Sequence, residues 1–400
     1  MKIDFTTKIN IYVKIIRSSH NQFFKPNANK LQALTNLMLN ISPCIIDTTN
    51  LYLSIWRKSG RIVKSLPDKE DCAHLTFSAR INQIIAAHAS GQARAIIAKI
   101  EKAKKTPENK RNKSQWAILK KTEFSLTDMK VNLPLDCRVA WIEEGSNSFD
   151  YMIVFRFPVK DIGCKKFYLP MKKSKHMRNL EARGFKLKPS AIRLNADCSI
   201  TLAYEKEVTL KTGHACASID LGRNKAIARS DGETFEPLDA LLTKIDRKKT
   251  GSKSHTRAKT ELKQVVNRAA KCALDYENLA VIHMENLKDM KRGKKWGNKN
   301  HHWPVGLLQE RISSWADEHG VRVIRVNPAY TSQTCSVCGH RDKKNRVGEK
   351  FLCLGCGHEA DADINAALNI GQRGTYMSLY LKQQNPLDGV ADLGEPVLSG

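Results

Sequence analysis

The chain has 400 residues, in which 67 Lys and Arg stand against 40 Asp and Glu, a formal net charge of +27. Such an excess is foreign to an ordinary metabolic enzyme and points to a polyanionic partner, bound by phosphate neutralisation and counterion release. A hydrophobic share of 41% excludes a wholly disordered chain, and no apolar run is long enough to span a membrane.

The length suggests two to four domains. Met1 to Arg17 is broken by Asp4, Lys8 and Lys14, so it lacks the apolar core of a signal peptide and reads as a strand, in a cytoplasmic protein. Its alternating Ile9, Ile11, Val13 and Ile15 begin a sheet within Lys2 to Ile16. A helical region follows from Asn27 to about Lys105. Leu31, Leu34, Met38 and Ile41 repeat at helical spacing, and Pro43 marks a break. Ile81, Ile84, Ile85 and His88 resume the period. Lys99 to Lys121 carries nine basic and two acidic residues, with Pro107, Asn109 and Asn112, and reads as a flexible basic link.

Ser114 to Leu210 changes pattern. Val139 to Glu143, Tyr151 to Pro158, Ala191 to Leu194 and Ser199 to Tyr204 read as strands. With the N-terminal strand they suggest a β-barrel interrupted by the helical insert. Lys165 to Lys188 holds nine basic residues and one acid, Glu181, and is either a solvated face or a nucleic-acid contact. Within it Lys172, Lys173, Lys175 and Arg178 are the candidate contacts.

Strands are expected at His214 to Asp220, Lys225 to Ser230 and Thr234 to Pro237, the last two joined by the hairpin signal Asp231-Gly232. A helix over Thr256 to Glu277 follows, then a strand from Leu279 ending at Glu285. A basic loop spans Lys288 to His302. Pro304 opens a helix to His319, stopped by Gly320, and Val321 to Val326 is the next strand. A three-strand meander followed by helix, strand, helix and strand is the element order of a ribonuclease H-like α/β domain.

Asp220 and Glu285 both end strands, rigid positions where α/β sheets build sites. A third acid lies in the helical run from Asp361. Asp363, Ala366, Ala367 and Ile370 share one face, and the alanines let that face approach the sheet closely. Asp361 lies on the far side and suits the N-cap. Alone, each acid could be a turn, surface or cap residue. Together they suit two Mg²⁺ ions about 4 Å apart, clamping the attacking and leaving oxygens of a phosphodiester.

Of eleven cysteines, Cys44, Cys72, Cys137, Cys164, Cys198, Cys216 and Cys272 are scattered and read as small buried apolar residues. Cys335-Ser-Val-Cys338 and Cys353-Leu-Gly-Cys356 form two knuckles, each followed by a glycine, and predict a closed structural Zn²⁺ site. A redox pair would need only one such motif. His340 and His358 follow the knuckles as surface or nucleic-acid contacts.

Ile219-Asp-Leu-Gly, His283-Met-Glu-Asn-Leu, Pro328-Ala-Tyr-Thr-Ser-Gln-Thr-Cys-Ser-Val-Cys-Gly and Cys356-Gly-His-Glu-Ala-Asp-Ala-Asp-Ile-Asn-Ala-Ala-Leu-Asn-Ile closely resemble TnpB proteins. These are transposon-encoded RNA-guided nucleases related to type V CRISPR effectors. The resemblance covers Lys211 to Gly371. It implies a multidomain protein of α/β, β-barrel and helical parts, with a RuvC nuclease domain and an inserted zinc ribbon. The implied division is 1–26 and 114–210 for a wedge barrel, 27–113 for a helical recognition domain, 211–334 and 357–374 for RuvC, 335–356 for the ribbon and 375–400 for a flexible tail. Asp220, Glu285 and Asp363 match the family's catalytic, Mg²⁺-binding positions, and Cys335, Cys338, Cys353 and Cys356 its Zn²⁺ ligands.

The resemblance also implies a guide RNA, a double-stranded target DNA delivering a single strand to the active site, a short target-adjacent motif, and a prokaryotic cytoplasmic protein, monomeric in preference. The basic loop would then cover the site through Lys291, Arg292, Lys294 and Lys295, with Trp296 either stacking a base or anchoring the loop. Lys244 to Lys259 would line a nucleic-acid channel or be a solvated helix face. The alternatives are an RNA-guided binding protein that does not cut and an unguided RuvC-like resolvase.

Overall fold

The structure is a computed structural model. It describes residues 12–23, 27–61, 74–75, 77–125, 131–145, 148–159, 163–235, 237–287 and 302–384. The chain divides into two compact units, Ile16–Lys206 and a second made of Met1–Ile15 with Glu207–Gly400.

The first unit holds a long helical pair. Helix α1 (Ala28–Ser59) starts at Asn27, whose side chain accepts from the amides of Asn29 and Lys30, and stops at Gly60 in the left-handed region, φ 68°. Pro43 does not break it. Proline removes the bond to the carbonyl four residues back, and here that residue is Leu39, 65% exposed, where water can satisfy the group. Leu34, Met38, Ile41 and Ile45 on the opposite stripe are buried against α2 (Ala79–Lys105), and that packing carries the helix through.

The link beyond α2 is ordered as well. Asn112 and Gln115 form a capping box that starts α3 (Lys113–Lys120). Arg111 Nε donates to the carbonyls of Ala103 (3.1 Å) and Thr106 (2.9 Å), and its guanidinium lies over Trp116 at 5.0 Å. The basic side chain thus closes the turn instead of loosening it.

The β-rich part forms two sheets: β1 (Tyr12–Asn21), β7 (Ile200–Thr209), β6 (Lys186–Leu194) and β2 (Leu133–Leu135) in that order, and β3 (Ala140–Glu144), β4 (Tyr151–Val159) and β5 (Gly163–Met171). Among the described residues no ladder joins them into the closed barrel expected from sequence. The first strand runs further than its alternation suggested, to Asn21, and residues 1–11 lie outside the described residues. The run Lys165 to Lys188 is not one solvated face. It comprises β5, α4 (Lys175–Ala182) and the start of β6.

The second unit is built on a five-stranded sheet of order β10-β9-β8-β11-β12: Thr234–Phe235, Ile227–Arg229, Cys216–Asp220, Val281–Glu285 and Arg322–Val326. The first three form an antiparallel meander, and β11 pairs parallel with both β8 and β12. Alternation sends Ala217, Ile219, Ile282 and Met284 to one face, into a core with helices α5 (Asp239–Asp246), α6 (Lys253–Cys272) and α7 (Val305–Glu318). Helix α5 had no reading in the sequence. Helix α6 ends before Glu277 because the chain turns there, with Tyr276 Oη donating to the Ala270 carbonyl at 2.5 Å.

The other face receives α8 (Ala362–Gln384). Ala366, Ala367 and Ile370 are fully buried. A Cβ on Gly371 would sit 2.6 Å from Ser218 Oγ, and one on Gly374 would sit 2.3 Å from the His283 ring, so only glycine permits this approach. The helix continues through Thr375 to Gln384, where a flexible tail was expected; 385–400 lie outside the described residues.

Of the scattered cysteines, Cys198 is buried and Cys44 half-buried, whereas Cys137, Cys216 and Cys272 are exposed. Cys216 and Cys272 sit at element ends and Cys137 in the turn between β2 and β3. Cys72 and the Cys164 side chain lie outside the described residues.

Candidate active site

The parallel register aligns Met284 with Ile219, so the next residues, Glu285 and Asp220, finish adjacent strands side by side. Both face the α8 side, with Ser218 and His283 beneath them. His283 is buried, lies 3.3 Å by Nδ1 from Ser218 Oγ, and burial lowers its pKa to about 4, which keeps the ring neutral. Asp363 enters from the first turn of α8. Asp361 caps that helix, accepting from the amides of Asp363 (2.9 Å) and Ile364 (3.2 Å). The division between the two acids drawn from helical geometry therefore matches the structure.

Asp220, Glu285 and Asp363 line one cleft of about 720 Å³, with Gly222, Arg223, Asn224, Trp303, Thr331 and Arg346 among its walls. Gly222 is needed there because a Cβ would meet the Lys225 carbonyl at 2.7 Å. Burial, then the charges of Glu285 and Asp363, push the Asp220 carboxyl up to about 8. Burial also raises Glu285, opposed by a hydrogen bond from Thr331 Oγ1 to Oε1 (2.5 Å) and by the charge of Arg373. Three crowded oxygen donors, two of whose charges disfavour ionisation of Asp220, fit divalent cations of the Mg²⁺ kind, which neutralise that repulsion.

Several supporting residues had no reading of their own in the sequence. Arg346 Nη2 donates to Asp363 Oδ1 at 2.7 Å. Lys225 Nζ donates to Asp361 Oδ2 at 2.6 Å and lies 4.0 Å from Asp363 Oδ2. Gln309 Nε2 donates to the Glu285 carbonyl at 2.5 Å. Thr331 lay within the Pro328 motif and was within reach. Arg346 is one cation among many in the segment between the knuckles, so only the fold singles it out.

The four knuckle cysteines bring their sulfurs within 4.8 Å of one another. Cys335 Sγ is 3.8 Å from Cys356 Sγ, and Cys338 Sγ is 3.5 Å from Cys353 Sγ. Tetrahedral Zn–S bonds of about 2.3 Å give edges of about 3.8 Å, so the set fits one zinc ion and not two disulfides. Each knuckle is closed by backbone bonds, Gly339 N to Cys335 O (3.0 Å) and Gly357 N to Cys353 O (2.9 Å), with both glycines in the left-handed region. His340 is exposed and His358 half-buried. The ribbon hairpin, β13 (Arg346–Val347) and β14 (Lys350–Leu352), pairs with β15 (Glu359–Asp361). It thereby delivers both Arg346 and the start of α8.

The other candidates belong to other places. Lys172, Lys175 and Arg178 are exposed in the first unit. Lys173 is half-buried: its ammonium pairs with Glu181 Oε2 at 2.9 Å and lies over the Tyr151 ring at 5.2 Å, and the Glu181 bond raises its pKa. Lys291, Arg292, Lys294, Lys295 and Trp296 lie outside the described residues. Lys244 pairs with Glu261 at 2.7 Å on a helix surface.

No helix among the described residues is long and apolar enough to cross a membrane. A family model described as "Cas12f1-like, TNB domain" matches residues 306–370. The CRISPR-associated endodeoxyribonuclease Cas12f1 of Sulfoacidibacillus thermotolerans is 43% identical over 95 residues, 24% of this chain and 22% of that protein. The putative RNA-guided DNA endonuclease InsQ of Escherichia coli (strain K12) is 29% identical over 211 residues, 43% of this chain and 52% of that protein. The TnpB-like protein aq_aa05 of Aquifex aeolicus is 35% identical over 108 residues, 25% of this chain and 35% of that protein. The chain thus spans about half or less of these relatives. In fold it is similar to the protein in a Cas12f1-sgRNA-target DNA complex, with a TM-score of 0.52 at 14% identity, covering 89% of this chain and 98% of that one. The putative transposase MJ0856.1 of Methanocaldococcus jannaschii is 36% identical over 76 residues, 17% of this chain and 70% of that protein, and with the TnpB-like relative it places the chain in the TnpB family, transposon-associated proteins related to the compact type V CRISPR effectors.

Proposed function

We propose that this protein is an RNA-guided DNA endonuclease that cuts target DNA beside a short target-adjacent motif, using a ribonuclease H-like RuvC domain. The observation that carries this reading is the convergence of Asp220, Glu285 and Asp363, from two strand ends and a helix start, on one cleft. The strand order with an antiparallel meander beside two parallel pairings supports the RuvC assignment. The name of the Escherichia coli relative and a net charge of +27 support guide RNA and target DNA as partners.

Asp220, Glu285 and Asp363 would hold two Mg²⁺ ions, which when bound supply an activated water and stabilise the charge of the departing 3′-oxygen. The chain's own groups prepare that site. Thr331 occupies one oxygen of Glu285 and fixes its orientation. Lys225 pins Asp361, the cap of the helix that carries Asp363. Arg346 holds Asp363 and puts a fixed positive charge on the cleft wall, where a phosphate of a single DNA strand must enter. Cys335, Cys338, Cys353 and Cys356 would hold a structural Zn²⁺ that keeps the Arg346 hairpin in place. The domain limits 1–26, 27–113, 114–210, 211–334, 335–356, 357–374 and 375–400 stand as part of this reading.

The test begins with protein expressed beside its native flanking DNA, from which bound RNA is sequenced. A discrete stoichiometric RNA with a variable end is expected. Heterogeneous RNA, from protein that folds and binds zinc, would favour the unguided resolvase. Asp220→Ala, Glu285→Ala and Asp363→Ala should each abolish Mg²⁺-dependent cleavage and leave RNA binding intact. Guided target binding with no cleavage by the wild type would favour the non-cutting alternative.

A further inference from the structure

Tyr330 departs from the pattern of its surroundings. Its backbone is left-handed, φ 66°, a conformation shared among described non-glycine residues only by Cys198. Bulky side chains rarely adopt it, and glycine or asparagine would do so without strain. The surrounding turn enforces it. The Tyr330 carbonyl accepts from Gln333 N (3.1 Å), Thr334 N (3.1 Å) and Thr334 Oγ1 (2.8 Å). Arg373 Nη1 braces the preceding residues, donating to the carbonyls of Asn327 (2.8 Å) and Ala329 (2.7 Å).

The ring is not used as core. It is 50% exposed, and its neighbours Pro328, Thr331 and Ser332 line the carboxylate cleft. The Arg341 guanidinium lies 4.0 Å from its centroid, held there by the bridge between Thr334 and Arg341. Among the described residues no carboxylate pairs with Arg341. An exposed aromatic face backed by an unneutralised cation, next in the chain to residues that line the carboxylate cleft, has the chemistry that binds unpaired nucleotides: a face for the base and a charge for the backbone. Strain retained at such a place belongs to function more often than to stability.

We propose that Tyr330 and Arg341 form a platform on which an unpaired base of the DNA strand stacks beside the phosphate held at the carboxylate cleft. The proposal rests on the endonuclease reading and adds to it a substrate-positioning site.

The test uses the full chain with its co-purified RNA and a short single-stranded DNA carrying 2-aminopurine, in Ca²⁺ so that nothing is cut. Stacking quenches the probe. Tyr330→Asn removes the ring while tolerating the left-handed turn, so its melting temperature should not fall. It should lose the quenching and bind roughly tenfold more weakly, the effect of one base–aromatic stack. Tyr330→Phe should behave as wild type. Arg341→Ala should weaken binding and lower the salt dependence by about one ion. Unchanged quenching and affinity in Tyr330→Asn, or equal loss in Tyr330→Phe, would overturn the platform. A wild type that never cuts in Mg²⁺ but shows the Tyr330-dependent quenching would refute the endonuclease reading and leave the platform standing. A wild type that cuts, with Tyr330→Asn cutting and binding equally well, would do the reverse.

Discussion

Asp361 and Asp363 differ by two positions, and their environments assign them different work. Asp363 faces the cleft and is held by Arg346. Asp361 spends one oxygen on two helix amides and the other on Lys225, and the Lys225 and amide hydrogen bonds hold its pKa below the usual carboxylate value against a partial burial that would raise it. Asp361→Ala should therefore cost about 1 kcal/mol of stability, the value of a lost N-cap, and retain measurable cleavage. Asp363→Ala should retain stability and lose cleavage. Melting curves and a cleavage time course on both variants check this, and the opposite pattern would exchange their roles. This pair was legible in sequence because helical geometry alone separates residues two apart. Arg346 and Lys225 were not, since a cation's partner across 17 or 136 positions is set by the fold and carries no local signal.

At the scale of elements, the glycines distinguish a packing surface from a free one. Gly91 lies inside α2 with nothing near a prospective Cβ, while Gly374 lies inside α8 against His283. Gly91→Ala should raise stability by about 1 kcal/mol through helix propensity. Gly374→Ala should lower it by about 1 to 3 kcal/mol, because either the helix or the sheet must move. Thermal melts of the two variants give opposite signs if α8 sits on the sheet as described. Sequence patterns failed at elements for related reasons. Pro43 reads as a stop because of its missing N–H, yet the freed carbonyl lies at exposed Leu39 and burial of the opposite stripe outweighs the loss. The segment from Lys99 to Lys121 reads as flexible from its charge, yet Arg111 hydrogen-bonds the turn shut. Local composition measures preference, and in both places tertiary contacts decide.

For the molecule as a whole, the parts of the cleft depend on the cysteine ribbon in a way no single motif conveys. The sequence displayed the knuckles and the acids as separate signals, and their order made both legible. It did not display that the ribbon's hairpin presents Arg346 to Asp363. Nor did it display that the ribbon's stem clasps α8, through Asn365 Oδ1 accepting from Ser336 N (3.0 Å) and Asn369 Nδ2 donating to the carbonyls of Thr331 (2.9 Å) and Thr334 (2.7 Å). Thr331 is in turn the residue that orients Glu285. Loss of zinc should thus reach all of these contacts at once. Cys353→Ser, or extraction with a thiol-competing chelator, should lower the melting temperature and zinc content together. Cleavage should fall as far as in Asp363→Ala although every carboxylate is intact. The helices α1 and α2 lie in the other compact unit, so RNA retention by the protein should outlast cleavage. Cleavage that survives complete zinc removal would mean that the carboxylates, Thr331 and α8 hold their places without the ribbon.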